Sequence, residues 1–248
     1  MVPAFWPFFK ANGYKKRGNT FFKIENNIAY CVLFERPTCF VYVHYHIIPL
    51  YVPTEYHYLT YGDRLESHSI HPVPSYDILT EDNAFLIKTH EPQNSLPDNV
   101  IWNEPKRMDF HEWMLQVQQC LTEDIFPFFE SIGSPEKLLC FLRKDVREKR
   151  EYMFGLGDDY EDWRLAAYTC LHMSDLKSAC EYNARAKTCL LQTAERYFPD
   201  LVQMRLDELN VLEQMIQAPT EIREAFFRET IAHTLEVCFR IRPQDDKQ

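Results

Sequence analysis

Glycine is scarce in this chain, and glycine-rich binding loops and long apolar runs are not found. Only six glycines occur among its 248 residues, and none follows Gly157. Gly155 and Gly157 have neither a preceding strand nor a third glycine, so a nucleotide-binding loop is not indicated. No run approaches the roughly 18 apolar residues of a membrane-spanning helix, and the first residues lack the pattern of a secretory signal. We therefore expect a cytoplasmic protein without a membrane partner.

Motifs that carry chemistry are also scarce. None of the eight cysteines is spaced as Cys-x-x-Cys, and most fall on apolar stripes of predicted helices. This pattern favours reduced core cysteines over a zinc site or a disulfide framework. The sequence contains no Gly-x-Ser-x-Gly motif for acyl transfer. We accordingly assign no catalytic residue and expect no cofactor.

Basic residues are fewer than acidic residues in this chain. The formal net charge is -10, with 8 basic against 10 acidic residues in positions 1 to 103 and 19 against 27 in positions 104 to 248. The acidity thus belongs to the C-terminal half. A negative field repels nucleic-acid backbones and anionic membrane surfaces but attracts a basic patch. The expected partner is another protein with a basic surface, and nucleic acid is not expected.

Aromatic residues, by contrast, are concentrated near the N-terminus, where 16 of the 36 lie within the first 62 positions. Residues 3 to 12 predict a short helix that Gly13 ends and that Pro7 limits to one or two turns. β-Branched and aromatic runs then predict the strands of an antiparallel meander, at 21–24, 28–34 and 39–48. Residues 49 to 105 hold seven prolines, which predicts loops and edge strands, with 84–88 the best strand candidate.

After Pro105 the apolar period becomes helical. One helix is predicted at about 109 to 126, with Asp109 and Glu112 as a capping box and Pro127 ending or kinking it. Ser134 and Pro135 form the next helix start. Four further helices are predicted. Asp158 caps the first, and the second runs from a Ser174 cap to Phe198. The third and fourth carry apolar stripes at 202–216 and 227–238. The sequence predicts an α+β protein with an N-terminal sheet domain, 1–133, and a helical bundle, 134–248.

Two segments resemble an uncharacterised bacterial family of unknown function. One is 12–43, with its Gly-Tyr-Lys-Lys-Arg-Gly-Asn-Thr-Phe sequence before aromatic strands. The other is 123–138, where Ile-Phe-Pro-Phe-Phe precedes the Ser-Pro-Glu-Lys helix start. The resemblance implies an α+β domain of bacterial type, similar to small accessory and immunity proteins that neutralise other proteins. It supplies no catalytic residue.

The first candidate site is a sheet face that carries Tyr42, His44 and His46. These residues alternate along one predicted strand, and His57 lies in the next possible strand. Imidazoles two residues apart bind zinc, iron or nickel when a further imidazole and a carboxylate such as Glu55 approach. The same rings also suit an ordinary solvated face or a groove for a ligand or peptide, and we assign no metal ligand.

The second candidate site is the basic run Lys15, Lys16 and Arg17, which flanking glycines predict to be a turn. A basic turn can contact phosphate or dock an acidic partner, but the acidity of the rest of the chain favours a solvated loop or ion pairs with the C-terminal helices.

These observations favour a non-enzymatic protein-binding module, an immunity or defence-system component that acts by occluding its partner. Occlusion requires complementary shape and charge and no reacting group. The alternative is a metal-dependent hydrolase that uses His44, His46 and His57 in a sheet-lined pocket.

Overall fold

An antiparallel sheet near the N-terminus followed by helices gives the protein the α+β architecture that the sequence predicted. The computed structural model describes residues 2–35, 42–53, 76–77, 110–143, 160–194 and 199–241. The described residues form two compact units. The first contains most of the sheet and the helices up to residue 131, and the second contains residues 25–28, residues 48–53 and the helices from residue 132 onward. The boundary predicted at residue 133 stays a prediction.

The sheet has strands in the order of the sequence, β1-β2-β3-β4-β5. They are β1 (Lys15–Arg17), β2 (Thr20–Glu25), β3 (Ile28–Glu35), β4 (Tyr42–Pro49) and β5 (Tyr76–Asp77). Strands β2, β3 and β4 confirm the predicted meander. The strand candidate at 84–88 lies outside the described residues.

Two tight turns set the register of the first hairpins. Asn26 and Asn27 both have positive φ, 50° and 60°, as a two-residue type I′ turn requires. Asparagine tolerates this conformation, so the turn forms without glycine. Gly18, with φ 56°, follows β1, and Arg17 pairs with Thr20 across that turn. The prediction that Lys15–Arg17 is itself a turn was therefore wrong, because the chain reverses at Gly18 and the basic run is a strand.

The N-terminal helix α1 (Val2–Ala11) supplies aromatic side chains to the core of the first unit. Phe5 and Phe9 are fully buried. The ring of Phe9 stacks on Phe21 of β2 at 3.9 Å and meets Phe34 of β3 edge-on at 6.2 Å. Gly13, with φ 81°, follows the helix as predicted. The limit of one or two turns was wrong, because α1 is ten residues long with Pro7 inside it.

A helix with an irregular middle continues the first unit. It consists of α2 (Phe110–Cys120), a π-helical segment (Leu121–Ile125) and α3 (Phe126–Ser131). The Phe126 N–H bonds to the carbonyl of Leu121, five residues back. Pro127 has no N–H and its ring crowds the carbonyl four residues earlier in a regular helix. The helix end or kink predicted at Pro127 is therefore a wider helical turn just before this residue. Asp109 of the predicted capping box lies outside the described residues.

The second unit is built mainly of helices. They are α4 (Pro135–Leu142), α5 (Tyr160–His172), α6 (Leu176–Gln192), α7 (Pro199–Gln217) and α8 (Thr220–Phe239). Helix α5 packs against α4 and α6, and α6 packs in turn against α7. Leu190 and Leu209 belong to the buried cluster that joins the helices α5 to α7.

The ends of these helices follow the predicted capping chemistry at one position and depart from it at another. The Ser134 hydroxyl accepts a hydrogen bond from the Lys137 N–H at 3.3 Å, which confirms the predicted start of α4. The start of α6 was predicted one residue too early. Ser174 has φ 64°, whereas Asp175 accepts from the Ser178 N–H at 3.2 Å and is the cap. Helix α6 also ends at Gln192, before the predicted Phe198.

Replacement of Asp175 by alanine is expected to lower the free energy of unfolding by about 1 kcal/mol, the usual cost of losing an N-cap. Hydrogen bonds from the Ser178 side chain and from its N–H lower the pKa of the Asp175 carboxyl, so the loss shrinks in acid as this carboxyl is protonated. Ser174→Gly is the matched variant. It is expected to raise stability by about 1 kcal/mol, because glycine adopts positive φ without strain. Urea denaturation checks both, and a destabilised Ser174→Gly would contradict the assignment.

Within the described ranges, no helix is both long enough and apolar enough to span a membrane. The seven cysteines described are all free thiols.

Candidate functional site

The structure places the backbone of Tyr42, His44 and His46 on β4, at alternating positions that share one face of the sheet. His44 is paired in register with Asp77 of β5. On the opposite face, Tyr45 and Ile47 are buried. The side chains of the three candidate residues, and all of His57, lie outside the described part of the molecule. Their roles in metal or ligand binding stay predictions.

The basic run lies on β1, the first strand in the sheet order. Lys15 and Lys16 are exposed and Arg17 is half-buried. Cationic side chains on a terminal strand discourage pairing with the edge strands of other molecules. This position agrees with such a protective role, and the binding role of Lys15, Lys16 and Arg17 stays a prediction.

A groove of about 530 Å³ lies between the C-terminal end of α5 and one side of α8, and we call it the α5–α8 groove. Its apolar wall consists of Leu171, Phe227, Ile231, Ala232 and Leu235. Its polar lining consists of His172, Ser174, Thr220, Arg223, Glu224 and Arg228. An apolar cleft with a few polar groups is the usual form of a binding site.

Residues 227 to 235 follow a helical repeat on α8, so successive apolar side chains line the same side of that helix. The sequence identified Phe227, Ile231 and Leu235 as an apolar stripe and predicted a core-facing role. In the structure Phe227 is buried, as predicted, while Ile231 and Leu235 are half-buried and, with Phe227, line the groove. Arg223, one helical turn before Phe227, and Arg228 are the residues in the sequence that mark a polar border to this stripe.

His172 forms one end of the groove and belongs to a stack of rings. Its imidazole lies 4.3 Å from the Tyr51 ring in a nearly parallel stack and meets Phe227 edge-on at 5.0 Å. The buried Tyr51 hydroxyl is 3.2 Å from the Thr169 hydroxyl. Burial lowers the pKa of His172, and the nearby Glu136 carboxylate offsets this only in part. The imidazole therefore stays neutral at neutral pH and presents an apolar ring to the groove.

His172 should make the protein less stable in mild acid. Because burial lowers its pKa in the folded state, the unfolded chain takes up the proton first as the pH falls below about 6.5. The stabilisation from the neutral form is thus complete above this value and is lost as the pH falls through the folded-state pKa. His172→Phe keeps a ring in the stack and removes the titration.

We expect the wild-type protein to lose more free energy of unfolding than His172→Phe between about pH 7.5 and 5. Urea denaturation across this range measures the difference. Equal losses in the two proteins would show that His172 does not contribute to the acid sensitivity.

A second polar site lies among the helices and is largely buried. The Arg164 side chain is 0% exposed, and its Nε donates to the Glu208 carboxylate at 2.7 Å while its Nη2 contacts the same oxygen. Its Nη2 also donates to the Pro53 carbonyl at 3.2 Å. The other oxygen of Glu208 lies 3.7 Å from Arg205. This buried ionic cluster joins α5 to α7 and to the chain segment that follows β4.

Tyrosine rings surround the buried ionic cluster. The Arg164 guanidinium lies 5.4 Å from the centre of the Tyr168 ring, and Arg205 lies 5.8 Å from that of Tyr160. Burial raises the pKa of Tyr168, and the Glu208 carboxylate adds to the effect. Burial likewise raises the pKa of Cys170 to about 11, so this thiol is protonated and unreactive at neutral pH. The buried ionic cluster and the tyrosine rings beside it hold α5 and α7 together.

Within the described ranges, no three histidine, cysteine or acidic residues come together as a set able to hold a metal ion. The chain matches no family model, no curated protein and no solved structure. The resemblance of residues 12–43 and 123–138 to a bacterial family therefore stays a prediction.

Proposed function

We propose that the protein is a protein-binding module that acts by occluding its partner, as an immunity or defence-system component would. The observation that carries the proposal is the α5–α8 groove, where apolar side chains of α5 and α8 lie beside the half-buried imidazole of His172. Such a groove takes up apolar side chains presented by a segment of another protein. Binding of this kind blocks the partner's surface without a chemical step.

The charge of the chain adds long-range attraction to this contact. A net charge of -10 favours encounter with a partner that has a basic surface, and salt weakens the attraction. Exposed carboxylates of the helices, among them Asp207 on α7 and Glu229 on α8, contribute to this field. The electrostatic field acts at long range and raises the rate of association. The groove acts at contact and lengthens the lifetime of the complex.

Selection from a display library of random short peptides tests the proposal, with the full chain as bait. We expect enriched peptides to carry an aromatic or large aliphatic residue. They should bind Ile231→Lys at least tenfold more weakly, at a cost of roughly 1.4 kcal/mol, because the lysine places a charge on the apolar wall.

Val211→Lys is the matched control, since Val211 is 42% exposed on α7 and does not line the groove. Peptides should bind this variant as they bind the wild type. Enrichment that is equal on wild type and Ile231→Lys would refute the groove as the binding site.

A further inference from the structure

The charges that line the α5–α8 groove differ in sign from those of the chain as a whole. Arg223 and Arg228 are the cations of the lining and Glu224 is its acid, a balance of one positive charge, whereas the chain carries -10. Among the described residues, no ion pair within 4.0 Å joins Glu224 to either arginine. Two guanidiniums against one carboxylate thus line the groove beside its apolar wall.

Arg223 is held in place before any partner arrives. Its Nη1 donates to the carbonyl of Ala218, and its Nη2 donates to the Thr220 hydroxyl at 2.9 Å. These two bonds use two of the five N–H donors of a guanidinium. Because the side chain is already ordered, a further hydrogen bond to a ligand costs little additional conformational entropy.

Helical spacing brings charge and apolar wall together. Phe227 follows Arg223 by four residues, and Ile231 follows Phe227 by four, so the guanidinium, the ring and the aliphatic side chain form one row along α8. Arg228 and Ala232 form the adjacent row of the lining. A ligand that lies along these rows meets apolar surface at one end and a cation at the other.

We propose that the groove recognises a protein segment in which an apolar side chain stands next to a carboxylate. The apolar side chain packs on the half-buried Ile231, beside the buried Phe227 ring, and the carboxylate accepts hydrogen bonds from Arg223, with Arg228 adding positive charge. Guanidinium and carboxylate match in geometry, and charge-assisted hydrogen bonds are the stronger kind. The partner as a whole still has a basic surface; the carboxylate belongs to the segment that enters the groove.

This inference rests on the proposed function, and its test separates the two. The probe is one synthetic peptide from the display selection, made in three forms with glutamate, glutamine or lysine beside the apolar residue. We expect the glutamine form to bind the wild-type chain about tenfold more weakly than the glutamate form, and the lysine form more weakly still. Titration calorimetry at low and high salt measures the three affinities.

Variants of the arginines assign the effect to named residues. On Arg223→Gln, and to a smaller degree on Arg228→Gln, the glutamate and glutamine forms should bind alike. Arg185→Gln is the matched control, because Arg185 is exposed on α6 and does not line this groove. It should keep the wild-type preference.

Three different results would each refute a different proposal. Equal binding of the three peptides to the wild-type chain would refute the carboxylate inference and leave the apolar groove in place. A preference for glutamate that survives in the Arg223→Gln, Arg228→Gln double variant would refute the role of these arginines. Failure of every peptide to discriminate wild type from Ile231→Lys would refute the proposed function itself.

Discussion

Glu208→Gln is expected to lower the free energy of unfolding by about 3 kcal/mol, since it removes the only carboxylate that the described residues place in the buried ionic cluster. Arg164 and Arg205 keep their charges, and their side chains are 0% and 10% exposed. Two largely buried guanidiniums then face an uncharged amide in place of this carboxylate. Urea denaturation at neutral pH measures the change.

Glu213→Gln is the matched control on the same helix. Glu213 pairs with Lys187 at 2.6 Å, but its side chain is 53% exposed. Exposed ion pairs contribute little, so this change should cost less than about 1 kcal/mol. Equal losses for Glu208→Gln and Glu213→Gln would mean that burial of the ionic cluster does not determine its contribution.

Phe9→Ala is expected to destabilise the protein by about 4 kcal/mol, the cost of emptying a fully buried aromatic site. The Phe9 ring contacts Phe21, Phe34 and the Tyr14 ring, the last at 5.3 Å. Its removal leaves a cavity that rigid neighbouring rings fill poorly. Thermal and urea denaturation, followed by near-ultraviolet circular dichroism of the aromatic residues, measures the loss.

Phe9→Leu separates apolar volume from ring stacking. Leucine retains most of the buried carbon, so this variant should lose less than about 1.5 kcal/mol. If the leucine variant were as unstable as Phe9→Ala, stacking of the ring rather than filling of the site would hold α1 on the sheet.

The sheet was predictable from sequence where its residues obeyed strand chemistry. Strands β2 and β3 are rich in aromatic and β-branched residues, and Asn26 and Asn27 marked the turn between them. Strand β1 was missed because Lys15, Lys16 and Arg17 have no strand preference, and their pairing with β2 depends on the turn at Gly18. Position in the sheet, rather than local composition, made this run a strand.

The exact first residue of a helix was also not predictable from composition alone. Ser174 and Asp175 are both good capping residues, so composition does not distinguish them. The difference lies in the backbone, because Ser174 adopts positive φ at the end of the preceding turn and leaves Asp175 to cap α6. Such a choice depends on how two consecutive helices are joined.

The candidate site was predictable only in part. The apolar stripe of α8 was evident from its period, but a stripe does not reveal whether another element covers it. Arg164 was not singled out at all, because an arginine among apolar helix residues ordinarily points to solvent. Its partner Glu208 lies 44 residues away, and no local pattern connects residues at that separation.

The hydrogen bond from Arg164 to the Pro53 carbonyl has a consequence for synthesis of the chain. These residues are 111 positions apart, and the bond between Asn26 and the Gly133 carbonyl spans 107. On the ribosome, the residues after β4 emerge long before the helix that holds them. Closing so long a loop delays folding, so nascent chains that end before α5 should remain sensitive to protease at residues 50–53, the segment that Arg164 contacts.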